Sequence, residues 1–242
     1  MANLMQLQDD ASLVDMLEEI DAASPTVATG GTSLLKMNRS TGAWTFGAED
    51  VPVERGSMWA VVPTTMAAGF ISWKGGKVEA EFMSSVGEKP VNPRDLPPVT
   101  GRNGWEAQVG FALVCVQGAQ TGTVVLYKTS NKGGTEAVAK VRAGVLARAK
   151  GGEADIVPVV SFNSTSYQHP EYGKVNKPSF EVTAHISLKQ LSEDYSDVLS
   201  GVSASARRLP EGDRDMKIID ATPVDIADDE VVVRRRRPLA TA

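Results

Sequence analysis

The sequence predicts a β-rich α+β domain, either an antiparallel OB-like barrel or a sandwich, with one mid-chain helix and a disordered tail. Three observations predict it. Every Trp, Tyr and Phe, the single Cys and both His fall between residues 30 and 200. Within that stretch, short alternating runs are separated by glycine-containing turns, so strands follow one another as hairpins rather than alternating with helices. Beyond Gly201 aromatics disappear and mixed charge takes over, ending in Asp228-Asp229-Glu230 and the run Arg234 to Arg237, the composition of a chain that cannot bury a core. The expected units are an acidic arm with a short helix (1–32), a β-rich core domain (33–200) and a disordered tail (201–242).

Taken in order, the arm carries six acids and no base over residues 1–29. Ser12 can cap a helix in which Leu13, Met16, Leu17 and Ile20 recur at three- and four-residue spacing, with Asp15, Glu18 and Glu19 opposite. Such a helix either docks on the domain or engages a partner. Ser24-Pro25 and Gly30-Gly31 form a junction. Leu34 to Asn38 and Ala43 to Phe46, joined by Ser40-Thr41-Gly42, read as a hairpin. Strands follow at Met58 to Val62, Phe70 to Lys74 and Lys77 to Met83, the last two joined by Gly75-Gly76. Glu88 to Trp105, with four prolines, reads as an extended loop. Ala107 to Val116 and Thr123 to Thr129 form another strand pair. Val109, Phe111, Leu113 and Cys115 share one face of the first, which makes Cys115 a buried small hydrophobe. Thr135 is the expected N-cap of a helix reaching Lys150, with Ala137, Val138, Val141, Val145 and Leu146 as its apolar stripe and Lys140 outside it. Gly151-Gly152 ends it. Strands at Ile156 to Phe162 and Ser179 to Ile186 flank a polar, aromatic loop from Asn163 to Pro178, and a helix from Leu188 to Leu199 closes the domain.

Composition narrows the function. In a chain of 242 residues, 42% hydrophobic and 23% charged, a net charge of -5 excludes a polybasic nucleic-acid condenser but not a local basic patch. One cysteine and two histidines, His169 and His185, cannot assemble a Cys/His zinc site. The first 21 residues hold no base, and no apolar run approaches the roughly 20 residues of a membrane helix, so a soluble, cytoplasmic chain without membrane partners is expected. Nucleophile elbow, phosphate-binding glycine loop and metalloprotease pattern are all missing from the sequence. His185 reads as a packing residue, and Glu79 with Glu81 as a solvated strand face. The expectation is a protein with no catalytic residues, cofactor or metal.

What remains is aromatic and basic side chains interleaved on strands and loops. Single-stranded nucleic acid is held in this way, rings stacking on bases while cations follow phosphates. The candidate nucleic-acid-binding residues are Trp44, Trp73, Lys74, Tyr127, Lys128, Lys132, Tyr167, His169, Tyr172 and Lys174, with Lys177 nearby. The competing reading makes the same rings core. Tyr127, on an alternating strand, fits either face.

The successions Gly42-Ala43-Trp44-Thr45-Phe46-Gly47-Ala48, Ser57-Met58-Trp59-Ala60-Val61, Gly69-Phe70-Ile71-Ser72-Trp73, Val109-Gly110-Phe111 and Ser166-Tyr167-Gln168-His169 resemble tailed-bacteriophage proteins of replication and recombination regions, over roughly residues 33–187. The resemblance implies a phage-encoded single-stranded-DNA-binding accessory protein in the host cytoplasm. Its partners would be single-stranded DNA, phage or host replication and recombination proteins, and further copies of itself. The usual bacterial single-strand-binding protein ends in an acidic, hydrophobic-tipped tail, whereas this chain ends Arg-Arg-Arg-Arg-Pro-Leu-Ala-Thr-Ala, so recruitment through such a tail is not expected. The alternative is a non-enzymatic structural or interaction protein, a virion component or host-factor inhibitor.

Overall fold

The computed structural model describes residues 32–171 and 173–210. The arm helix expected from Ser12, Tyr172, and the tail beyond Pro210 lie outside them. In chain order the described residues form β1 (Ser33–Met37), β2 (Trp44–Phe46), β3 (Val51–Pro52), β4 (Met58–Lys74), β5 (Lys77–Ser85), a 3-10 turn (Pro93–Asp95), β6 (Glu106–Gln117), β7 (Val124–Thr129), α1 (Lys132–Lys150), β8 (Val157–His169), β9 (Gly173–Ile186), α2 (Leu188–Leu199) and β10 (Ala206–Arg208).

The ten strands make one sheet in the order β10-β5-β4-β6-β7-β1-β2-β3, and the β8–β9 hairpin joins it through β4. The path ends on two different strands with no ladder between them, so the sheet does not close into the expected barrel. Nor is it wholly antiparallel, because Ser33 and Leu34 of β1 pair in parallel with Val125 and Leu126 of β7.

Strand β4 holds the design together. The sequence pattern gives two strands here, Met58 to Val62 and Phe70 to Lys74; in the structure they are one strand, with a bulge that takes in Pro63, which cannot donate to a ladder. Val62 faces Ala112 and Ala67 faces Gly110, so β4 spends five steps where β6 spends two. The hydroxyl of Thr65 spans the gap, accepting from the Ala112 amide at 2.8 Å and donating to the Val62 carbonyl at 2.7 Å. Such an insertion bends a strand and changes which side chains it buries on each face. The segment before it pairs with β8 at Trp59 and Ala60, and the segment after it pairs with β5 from Ala67 onward.

Both sheet faces are covered. Trp59, Val61, Phe111, Leu113, Val125 and Tyr127 form one core with Val138 and Val141 of α1 and the half-buried Phe162 and Phe180 of the β8–β9 hairpin. Ala60, Val62, Ala112, Val114 and Leu126 form the other with Leu191 of α2 and Ala204. Cys115 is fully buried in the first core, as its alternation predicts, and burial pushes its thiol pKa up.

Helix α1 starts earlier than Thr135. Asn131 is the cap, its side chain accepting from the Gly134 amide at 2.8 Å, while the Thr135 hydroxyl donates to the Asn131 carbonyl. Gly133-Gly134 lies in the first turn of the helix, and position 134 takes glycine because a Cβ there would run into the hydroxyls of Thr129 and Tyr127. The buried stripe is Ala137, Val138, Val141 and Val145, with Lys140 exposed. Leu146, expected in that stripe, is 52% exposed.

The largest departure is the segment Asn163 to Pro178. It is not a loop: β8 and β9 pair from Val157–Ile186 to His169–Gly173, with one register shift between Val159 and Val160 and none beyond it. Its Ser, Thr, Asn and Gln residues are mostly exposed, so no apolar alternation marks the strands. Residues 201–210, assigned by charge to the tail, also belong to the domain, since Ala204 is fully buried and β10 pairs with β5.

Candidate nucleic-acid interface

The β8–β9 hairpin and the first turns of α1 bring together the polar and basic side chains that remain accessible. The hairpin is held over the first core by its inner rings: Phe162 and Phe180 face each other across the ladder and both pack on Trp44, with ring centres 5.1 and 5.6 Å away. Asn176 ties β9 to the β1–β2 turn, its side-chain amide donating to the carbonyls of Arg39 and Ser40. On one side of the hairpin a groove of about 400 Å³ runs between it and α1, lined by Glu136, Lys140, Tyr167, Lys177 and Pro178 among others. On the other side a smaller one, about 210 Å³, is lined by Lys36, Arg39, Lys128, Asn131, Asn176 and again Pro178.

Tyr167 is 43% exposed and meets the His169 ring edge to face at 6.4 Å. Lys177 lies 3.6 Å from Glu136 in an exposed ion pair, an interaction worth little against solvent. Lys36 is held by Asp50 at 2.7 Å. Arg39, Lys132, Lys140 and Lys174 have no ion-pair partner among the described residues. Of the residues picked out by sequence, the hairpin thus collects Tyr167, His169 and Lys174, with Lys132 at the adjoining start of α1. The imidazole of His169 accepts from the Glu171 amide at 3.2 Å, closing the hairpin turn.

The other five described candidates stand apart from that cluster. Trp44 is buried, and its indole N–H donates to the Asn163 carbonyl at 3.1 Å; it is core, with no face left for a base. Tyr127 resolves to the core side, buried among Trp44, Phe111 and Phe180, and burial pushes its phenol up to about 12. Lys128 crosses the sheet over Gly110, where a Cβ would meet its side chain at 3.0 Å and the Tyr127 carbonyl at 2.4 Å. Its ammonium sits 3.1 Å from Glu81, the side chains 10% and 16% exposed, so it is committed to a carboxylate within the fold. Trp73 and Lys74 are exposed, but at the tip of the β4–β5 hairpin, and neither lines the two grooves.

Glu79 and Glu81 likewise do not form a solvated face. Glu81 holds Lys128, and Glu79 accepts from the Thr100 hydroxyl and amide, the Gly101 amide and the Ser72 hydroxyl. These bonds, that of the Thr100 hydroxyl first, hold its carboxyl down at about 2. His185 is partly buried on β9, which lowers its pKa, with the Arg148 charge adding to the effect.

Sequence reasoning missed Lys140 as a groove residue. It appears there only as a polar position of an amphipathic helix, and its neighbour across the groove lies on a strand that the pattern does not reveal. Among the described residues, no group of His, Cys, Asp or Glu side chains is placed to hold a metal ion, and no helix is long and apolar enough to cross a membrane. Comparison with protein-family models, with curated proteins and with solved structures gives no match.

Proposed function

We propose that the protein is a phage-encoded accessory protein of replication and recombination that binds single-stranded DNA in the groove between the β8–β9 hairpin and α1. The observation that carries this reading is the exposed Tyr167 in a groove with Lys140 and Lys177. A ring offers a stacking face to any base, and two ammonium groups beside it offer partners for successive phosphates. Lys132, next to Gly133 in the lining of this groove, adds a further cation. Chemistry is not part of the proposal; the residues bind and orient a strand.

The test is binding of a fluorescent 30-mer single strand to the full chain as a function of salt. Lys140→Ala and Lys177→Ala each flatten the slope of log affinity against log salt by roughly 0.7, the value of one neutralised phosphate on a single strand. Tyr167→Ala costs about 1–3 kcal/mol of affinity with the slope unchanged. Glu136→Gln strengthens binding by freeing Lys177. No binding of the unmodified chain at low salt overturns the reading. It would leave the interaction-protein alternative, which a separate apolar cleft along α1 supports.

A further inference from the structure

That cleft, about 570 Å³, lies between the C-terminal half of α1, the β4 bulge, the chain after β5 and the start of α2; Pro63, Met66, Val86, Val145, Leu146 and Leu188 line it. Three of them expose large apolar surface: Val86 at 64%, Leu146 at 52% and Leu188 at 40%. Isolated exposed hydrophobics are ordinary, but a group of them around one apolar opening marks a surface that something covers. The border of the cleft carries more base than acid: one carboxylate, Glu88, lines it and is held by the Ser85 amide and the Ser205 hydroxyl, against two cations. Arg142 and Lys150 stand one helical turn before and after Leu146, both exposed, and neither has an ion-pair partner among the described residues.

We propose that this cleft seats residues 13–20 of the chain's own acidic arm. The arm offers what the cleft lacks. Leu13, Met16, Leu17 and Ile20 are four apolar residues on one helical spacing, the pattern of a segment that lies in a groove. Asp15, Glu18 and Glu19 interleave with them, and no base occurs before residue 30, so the segment is opposite in charge to Arg142 and Lys150 and is attracted by them.

The tether is long enough. Residue 33 pairs with Val125, which lies beside Leu113 of β6, while the cleft is lined further along β6 at Gly110 and on β4 at Met66 to Ala68. Strand spacings and rises put these points roughly 15–20 Å apart. Residues 21–31 reach up to about 36 Å when extended. A segment tethered at that distance is present at an effective concentration in the millimolar range, which favours the chain's own arm over that of a second copy. The proposal does not depend on the nucleic-acid reading, since the hairpin grooves use the other end of α1.

The experiment uses the full chain carrying Leu17→Cys with Leu146→Cys under mild oxidation; Cys115 is fully buried and does not compete. The expected product is a faster-migrating monomer on a non-reducing gel, formed about tenfold or more faster than in the control pair Leu17→Cys with Lys74→Cys, and more slowly as salt is raised. In a second measurement, Leu17→Asp in the full chain raises the emission of an apolar fluorescent dye. Equal crosslinking rates in the two pairs overturn the proposal, as does dye emission that Leu17→Asp leaves unchanged. Disulfide-linked dimers as the main product overturn it in favour of arms exchanged between copies.

Discussion

Replacing Lys128 by Met separates a structural cation from a binding one. The substitution keeps the length and apolar stem of the side chain over Gly110 and removes only the ammonium, leaving the Glu81 carboxylate 16% exposed and without its partner. Stranding one member of a fully buried pair costs about 3–5 kcal/mol, while exposed pairs contribute at most about 1 kcal/mol. With both side chains retaining a little solvent, about 2–3 kcal/mol is expected. In a domain of this size each kcal/mol moves Tm by about 2–4 °C, so the melt falls by roughly 5–10 °C. Urea unfolding should show the midpoint shift at constant slope. Lys128→Met combined with Glu81→Leu recovers most of the loss, because no charge is then left behind. Affinity for a single strand, extrapolated to conditions where both proteins are folded, is unchanged. A silent Lys128→Met, or a double variant that loses the sum of the two single losses, would refute the assignment of Lys128 to the fold.

Three further outcomes are expected. The Glu79 carboxylate, held at about 2 in the folded protein against an ordinary 4.5, stabilises the loop end at Thr100 and Gly101 fully above pH 4.5, and that contribution is lost as pH falls towards 2. Amide protection factors at residues 99–105, referred to the intrinsic exchange rate at each pH, should fall on acidification in the native protein, whereas Glu79→Gln shows the low protection already at pH 7. Ending the chain at Ser200 removes the buried Ala204, the β10 ladder and the Ser205 hydrogen bonds to Glu88 and Ser85, costing about 2–4 kcal/mol. Ending it at Pro210 leaves the urea midpoint intact. Val141→Asp puts an uncompensated charge into the first core and destabilises by several kcal/mol, while Lys140→Asp changes stability by less than about 0.5 kcal/mol and weakens oligonucleotide binding.

The sequence makes local elements legible wherever burial imposes a period. The alternation of Val109, Phe111, Leu113 and Cys115 marks β6 and its buried face, and the spacing of Val138, Val141 and Val145 marks α1. The extent of α2 from Leu188 to Leu199 follows from the same reasoning. Non-local pairing leaves no such trace. Nothing within Ser33 to Met37 distinguishes a strand that will lie parallel to β7 from one that pairs only with its hairpin mate. Trp44 and Tyr127 went to the core for a related reason. Alternation says that Trp44 and Tyr127 each take one side of a strand, but a sheet covered on both faces by later segments leaves neither side in solvent. Tyr167 stays accessible because the outer part of the β8–β9 ribbon, rich in Ser, Thr and Asn, extends past the covered region, and that polarity is also what hides the ribbon from a search for strands.

The parallel pairing of β1 with β7 orders events during synthesis. The segment Ser33 to Met37 leaves the ribosome early, yet the edge it joins lies about ninety residues later in the chain, a separation whose closure is slow compared with hairpin formation. At roughly 5–20 residues per second, the β1–β2 hairpin exists for several seconds or more with its apolar side, Leu35, Trp44 and Phe46, uncovered. The β8–β9 hairpin, whose Phe162 and Phe180 cover Trp44, arrives later still. The first strand made therefore waits for almost the whole domain, and the interval is a window for chaperone capture or for pairing with a neighbouring nascent chain.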